Sequence, residues 1–186
     1  MRIVGGDLRG RALLGPKPGD MAIRPTSDRL RESLFNILVH HPDADLEGAR
    51  VLDLFAGTGA LSFEAMSRGA SFALMVDDGM EARGLIRGNQ EALGLGGTTR
   101  IYRRDATKLG PISGMEPFGL VFCDPPYRKG LGELALASAR DGGWLNAGAM
   151  IVWEEASDAN LDIPAGFVQI DLRSYGETQV RLLKMP

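Results

Sequence analysis

Val51-Leu52-Asp53-Leu54-Phe55-Ala56-Gly57-Thr58-Gly59-Ala60-Leu61 runs from an apolar strand through a glycine-rich turn into a helix. Gly57 and Gly59 allow close backbone approach to a ligand and conformations that a side chain forbids. In dinucleotide-binding folds such a turn cradles a pyrophosphate, and a third glycine follows. Here the third position is Ser62, and Asp53 precedes the turn. A carboxylate at that place repels a pyrophosphate and suits a ligand with an amino group and a sulfonium, as in S-adenosylmethionine. The same fragment also binds other nucleotide-like ligands, so it needs support from the rest of the chain.

Outward from this turn, short apolar runs alternate with helical stretches. The expected strands are Arg50–Leu54, Phe72–Val76, Thr98–Tyr102, Leu120–Cys123 and Ala149–Trp153, with helices near Ala60–Arg68, Met80–Leu93 and Gly130–Arg140. Gly84 and Gly88 weaken the second of these helices. The alternation predicts parallel strands joined by crossover helices, an α/β fold of the Rossmann-like kind. Phe167–Leu172 and Thr178–Lys184 are separated by a short glycine-containing loop, so the mostly parallel, seven-stranded sheet should end in an antiparallel hairpin.

Upstream, residues 1–48 read as an amino-terminal arm and helix on a core of residues 49–186, together one domain. Met1–Val4 and Arg11–Leu14 are strand-like pieces of a small hairpin. Ser27 or Asp28 caps a helix to about His40, with Leu30, Leu34, Ile37 and Leu38 on one face.

Composition narrows the classes. The chain has 186 residues, 44% hydrophobic and 24% charged, with a net charge of −3. That is ordinary for a soluble globular protein. No apolar run reaches a membrane-span length of roughly 18 residues, and the amino terminus lacks an apolar signal core. Cys123 is the one cysteine, too few for a disulfide or a structural zinc site. A cytoplasmic protein is expected. Charge is uneven: residues 1–36 carry seven basic groups against four acids, the remainder 14 against 20. A basic end on an acidic body is compatible with phosphate contact, as well as with scattered solvated arginines.

Three acids follow three successive strands. Asp53 precedes the glycine turn, Asp77 ends the second strand, and Asp105-Ala106 follows the third. Ligands bind along the carboxyl ends of strands in open α/β sheets. Asp77 can accept the hydroxyls of a ribose; Asp105 can accept from an adenine amino group, with the Ala106 backbone beside it.

The most specific feature is Asp124-Pro125-Pro126-Tyr127, directly after the apolar Leu120-Val121-Phe122-Cys123. The prolines fix the backbone and offer carbonyls with no competing amide donor. Asp124 and the Pro125 carbonyl can accept from an exocyclic amino group, whose lone pair is otherwise delocalised into its base. Holding both N–H bonds out of the ring plane frees that lone pair and stabilises positive charge developing on nitrogen. Tyr127 offers a face on which an extruded base can stack. Cys123, inside an expected buried strand, reads as a packed thiol rather than a nucleophile.

With these residues the sequence resembles the bacterial 16S ribosomal RNA guanine-N2 methyltransferases of the RsmD type. The resemblance is carried by Met1-Arg2-Ile3-Val4-Gly5-Gly6 with Leu8-Arg9-Gly10-Arg11, and by Arg24-Pro25-Thr26 with Arg31-Glu32 and Leu34-Phe35-Asn36. It continues in Asp53–Gly59 with Glu64-Ala65 and Ser67-Arg68-Gly69-Ala70, in Asp124–Tyr127, and in Tyr175-Gly176-Glu177-Thr178. The amino-terminal signature is the most family-specific of these.

The resemblance implies a class I methyltransferase fold. S-adenosylmethionine would lie against Asp53, Phe55, Ala56, Gly57, Thr58, Gly59, Asp77, Asp105 and Ala106 and leave as S-adenosylhomocysteine, with no metal. Asp124, Pro125, Pro126 and Tyr127 would form the catalytic loop. The implied partner is 16S ribosomal RNA within the small subunit or an assembly intermediate, met by a monomer. Arg2, Arg9, Arg11, Arg24, Thr26 and Arg29 are the candidate RNA contacts. Two positions depart from the family pattern: the ribose acid is Asp77 instead of glutamate, and Ser62 replaces a common glycine. The residues alone leave the base open, because the proline loop suits adenine N6 equally well. A DNA adenine methyltransferase is disfavoured by length, since target-reading domains need residues that the catalytic sheet has consumed. A non-catalytic RNA-binding module on this fold is disfavoured by the intact acids and glycines.

Overall fold

The strand before the glycine turn, β1 (Arg50–Asp53), lies inside a seven-stranded sheet in the computed structural model, which describes all 186 residues. It pairs in parallel with β2 (Phe72–Val76) on one side and β4 (Phe118–Cys123) on the other. Beyond β2 lies β3 (Thr99–Tyr102); beyond β4 lies β5 (Leu145–Ala156). The sheet closes with β7 (Thr178–Lys184) and β6 (Val168–Tyr175), both antiparallel to their neighbours, in the order β3-β2-β1-β4-β5-β7-β6. The expected architecture and terminal hairpin are therefore present.

Near-continuous apolar runs make both faces of the sheet buried, as parallel strands require. Alternate residues supply opposite faces. Leu52, Leu74, Val121 and Ile151 enter one core with Leu136 of α4 (Leu131–Asp141) and with Trp144, which follows that helix. Val51, Ala73, Leu120 and Val152 enter the other, against Leu34, Phe35 and Leu38 of α1 (Asp28–His40) and Leu61 and Ala65 of α2 (Ala60–Ser67). Ser27 Oγ caps α1 by accepting from Leu30 N at 3.1 Å. β5 is longer than its apolar run suggests, since it pairs with β4 as early as Leu145 and with β7 as late as Ala156.

The amino-terminal hairpin forms through the Arg2–Ala12 bridge and packs Ile3 and Leu13 on Phe63 and Ile86. Its anchor is Glu64, buried in α2, which accepts from Val4 N (2.9 Å), Gly5 N (2.8 Å) and Arg68 Nε (2.9 Å). Helix α3 (Met80–Leu93) tolerates its glycines: a Cβ on Gly88 would stand 2.6 Å from Leu14 Cδ1, so the missing side chain seats the hairpin. No helix is long and apolar enough to cross a membrane.

Candidate active site

The order of strands reverses between β1 and β4, and ligand crevices form at that point. A cavity of about 560 Å³ opens there, walled by the glycine turn, the end of β2, the start of α3 and the proline loop. A volume of that size suits a cofactor or small ligand.

Phe55, Ala56, Gly57 and Thr58 line it. Gly59 closes the turn at φ 79°, where a Cβ would stand 2.5 Å from the Phe63 ring, so this position requires glycine. Asp77 ties the turn to β2: its Oδ2 accepts from Gly57 N at 2.9 Å and its Oδ1 from Gly79 N at 2.8 Å. It lines the cavity as expected. Asn89 of α3 supports the turn from behind, donating to the carbonyls of Thr58 (3.0 Å) and Leu14 (3.1 Å).

Asp53 is placed differently from the simple expectation. It is 1% exposed and lies behind the cavity wall. Ser62 Oγ donates to its Oδ2 at 2.8 Å, while Oδ1 is buried without a partner. Burial pushes this carboxyl up to about 7, against the Ser62 hydrogen bond and with the help of Asp77. Ser62, at the position of the missing third glycine, therefore holds the acid that precedes the turn.

Asp105 and Ala106 do not line the cavity. Asp105 is exposed and caps a one-turn helix, Ala106–Lys108, accepting from Thr107 N (2.9 Å) and Thr107 Oγ1 (2.7 Å). Those bonds hold its carboxyl below the usual range. Ala106 is part of the core beside α4.

Asp124, Pro125, Pro126 and Tyr127 all face the cavity of the glycine turn, which places the proline loop and the turn on one space. Thr26 Oγ1 donates to Asp124 Oδ2 at 3.2 Å. Burial, and after it the charge of Glu154, push the Asp124 carboxyl well above the ordinary range. Cys123 is fully buried, and burial raises its thiol further still, which leaves it an inert packing group.

Tyr127 has more partners than its sequence context suggested. Its hydroxyl donates to Glu154 Oε1 at 2.7 Å and lies 3.0 Å from Thr178 Oγ1. The Arg24 guanidinium sits 3.8 Å from the ring centroid and hydrogen-bonds the hydroxyl. One face of the ring expected to carry a base therefore carries Arg24. The neighbouring acid Glu155 pins the loop: its Oε1 accepts from Arg128 N at 3.0 Å, where Arg128 turns at φ 60°.

Among the candidate RNA contacts, Arg24 and Thr26 line the cavity. Arg2, Arg9 and Arg11 are exposed on the hairpin, and Arg29 is exposed on the first turn of α1. Arg31, counted in the basic end, is fully buried, paired with Asp28 and 3.8 Å from Glu64. Its charge is not available to a phosphate. Glu154, Glu155 and Asn89 escaped the sequence reading, and Thr178 entered it only within a family signature and a strand. The usable signal for the first two was their place: Trp153-Glu154-Glu155 follows an apolar run whose strand lies beside the one that Asp124 directly follows.

Known proteins are similar to this chain over nearly its whole length. It is 37% identical to ribosomal RNA small subunit methyltransferase D of Escherichia coli K12 over 184 residues, 98% of this chain and 88% of that protein. It is 30% identical to the Haemophilus influenzae protein of the same name, over 98% of this chain and 92% of the other. The solved structure of yhhF from Escherichia coli matches with a TM-score of 0.83 at 32% identity, covering 100% of this chain and 97% of that one. A family model described as conserved hypothetical protein 95 matches residues 1–184, and the chain belongs to that family, the RsmD-type methyltransferases.

Proposed function

We propose that this protein transfers a methyl group from S-adenosylmethionine to the exocyclic N2 of a guanine in 16S ribosomal RNA. The observation that carries this reading is the meeting of Asp124 and the glycine turn on one cavity. The names of the relatives, small subunit methyltransferases of two bacteria, support ribosomal RNA as the substrate.

The residues present fit the cofactor. Asp77 stands at the ribose position with both oxygens anchored, and Phe55, Ile23 and Met80 give the cavity apolar wall for a purine. Asp105 and Ala106 lie outside the lining of this cavity. When bound, S-adenosylmethionine supplies an electrophilic methyl on its sulfonium.

The chain supplies geometry and charge. Asp124 and the Pro125 carbonyl accept the two N–H bonds of the target amino group and turn its lone pair toward the methyl. As the carbon–nitrogen bond forms, positive charge grows on nitrogen, and the Asp124 carboxylate stabilises it. Asp124, at the reacting nitrogen, is placed to take the proton that must then leave. No covalent enzyme intermediate is needed. The exposed Arg2, Arg9 and Arg29 are available to phosphates, consistent with RNA held in a small subunit or its precursor and met by one copy of this chain.

The test is transfer from labelled S-adenosylmethionine to small subunits lacking the modification, with mass mapping of the nucleoside formed. N2-methylguanosine at one position is the expected product. Another nucleoside would cancel the guanine assignment, and transfer to duplex DNA alone would cancel the RNA assignment.

A further inference from the structure

Behind Arg24, Pro25 and Thr26 lies a second cavity, of about 630 Å³, on the other side of the wall they form with the cofactor cavity. It is lined mainly by polar groups, among them Arg29, Glu154 and Thr178. Glu154 is 4% exposed. Its Oε1 accepts from the Tyr127 hydroxyl and lies 3.7 Å from Arg24 Nη2, but its Oε2 is buried with no hydrogen-bond partner. An unpartnered buried carboxylate oxygen costs free energy, so a donor that arrives with a ligand accounts for it better than packing does.

Position makes the donor identifiable. Cys123 of β4 pairs with Trp153 of β5, so Asp124, directly after β4, follows beside Glu154 of β5. Arg24 Nη2 lies 3.3 Å from Thr178 Oγ1, setting donors beyond Glu154. Read across the segment Arg24–Thr26, from Asp124 on the cofactor cavity to Glu154 on the second, the order is acceptor, acceptor, donor, and a base that meets both carboxylates must part that segment. The Watson–Crick edge of guanine offers the amino N2, then N1–H, then the O6 acceptor. Adenine and cytosine place a ring nitrogen lone pair beside the exocyclic amine, which a carboxylate repels. Guanine alone among the four bases places a donor there.

We propose that Glu154 determines base specificity by accepting the N1–H of the target guanine on Oε2; this rests on the guanine-N2 reading above. Flipped bases are read along this edge by other base-modifying enzymes, and charge-assisted hydrogen bonds to a carboxylate are among the strong ones. The role belongs to recognition, while Asp124 remains the group at the reacting nitrogen.

The experiment compares two RNA substrates within reconstituted small subunits: one with the target guanine, one with 2-aminopurine at that position. The analogue keeps the N2 amino group and lacks both N1–H and O6, so the Glu154 variant is what assigns the preference to N1–H. Wild-type protein should favour guanine by ~10²-fold or more in kcat/KM, since sites built to hydrogen-bond a donor reject analogues without it. Glu154→Gln, whose amide can donate to the bare N1, should bring the preference to within ~10-fold by raising the 2-aminopurine rate. Its S-adenosylmethionine affinity and melting temperature report whether it has folded. Equal rates on both substrates with the wild type, or an undiminished preference in Glu154→Gln, would overturn the proposal. Should Glu154→Gln fail to fold, Glu154→Asp, which keeps the carboxylate and shortens its reach, takes its place and should likewise lower the preference. Guanine methylation without discrimination defeats this inference alone; no transfer to guanine-containing RNA defeats the methyltransferase reading and this one together.

Discussion

Thr26 Oγ1 donates a 3.2 Å hydrogen bond to Asp124 Oδ2, joining the segment ahead of α1 to the loop after β4. Thr26 is the side chain that fixes the direction of the Asp124 carboxylate, so the bond links arm and chemistry. Thr26→Val keeps the shape and removes the donor. Turnover should fall by ~10-fold, roughly the 1.4 kcal/mol of one net hydrogen bond, and Thr26→Ser should restore most of it. Unchanged kcat in Thr26→Val would show that Asp124 is held by other means.

Asp124→Ala removes the acceptor itself. Loss of a preorganised group at the reacting centre costs on the order of 10²- to 10³-fold in turnover. Binding of S-adenosylmethionine, measured by calorimetry, should stay within a few-fold, because the glycine turn and Asp77 remain. A variant that kept near wild-type turnover would remove Asp124 from the mechanism.

Glu155 holds the far end of the same loop through Arg128 N (3.0 Å) and also accepts from Ala156 N (2.7 Å). Glu155→Ala leaves a left-handed, non-glycine turn at Arg128 without its anchor. Arg128 and Lys129 are exposed, so trypsin reports on the loop directly. Cleavage there should accelerate by ~10-fold or more in the variant while the rest of the digest pattern stays the same. An unaltered cleavage rate would mean that the prolines and the Arg128–Asp158 ion pair hold the loop without Glu155.

The sequence carries more of the sheet than of the site, and the reasons lie in particular residues. Strands β1, β2 and β4 are apolar on both faces, and this local property predicts their burial. Asp53, Asp77, Asp105 and Asp124 look alike, each an acid after a strand, but their surroundings separate them. Thr107 turns Asp105 into a helix cap, Ser62 seals Asp53 into the interior, and only Asp77 and Asp124 face the cavity. Glu154 and Thr178 meet Tyr127 because β5 pairs with both β4 and β7. Such long-range register leaves no periodic trace in the chain. Arg31 shows the same limit for charge, being basic in composition and buried in fact.

Asp53 predicts how stability depends on pH. Its carboxyl rises from the ordinary 3.8 to about 7 in the folded protein, chiefly by burial. Below about pH 4 the folded and unfolded chains both hold the proton. Between about 4 and 7 the folded chain alone does, so stability falls as pH rises through that window and levels off above it. Asp53→Asn removes the titration and should gain relative to wild type by about 1.4 kcal/mol for each unit of the shift. Melting temperatures should therefore diverge from pH 5 to pH 8, with the variant higher at pH 8. A constant difference across that range would rule out this titration.

Glu64 and Arg31 predict how the arm is held. Glu64 is fully buried and binds the amides of Val4 and Gly5, Arg68 Nε, and, at 3.8 Å, the buried Arg31. Arg31 also donates to the Arg2 carbonyl at 2.8 Å and pairs with Asp28. Removing one partner of a buried pair typically costs 3–5 kcal/mol, because the other charge is left uncompensated. Glu64→Leu should lose about that much by urea denaturation, and hydrogen exchange should show Val4 and Gly5 unprotected. Arg31→Met in the same chain removes the stranded cation, so the double variant should be more stable than Glu64→Leu alone. If the two losses simply add, the arm is held by Ile3 and Leu13 in the core, and the charges contribute independently of each other.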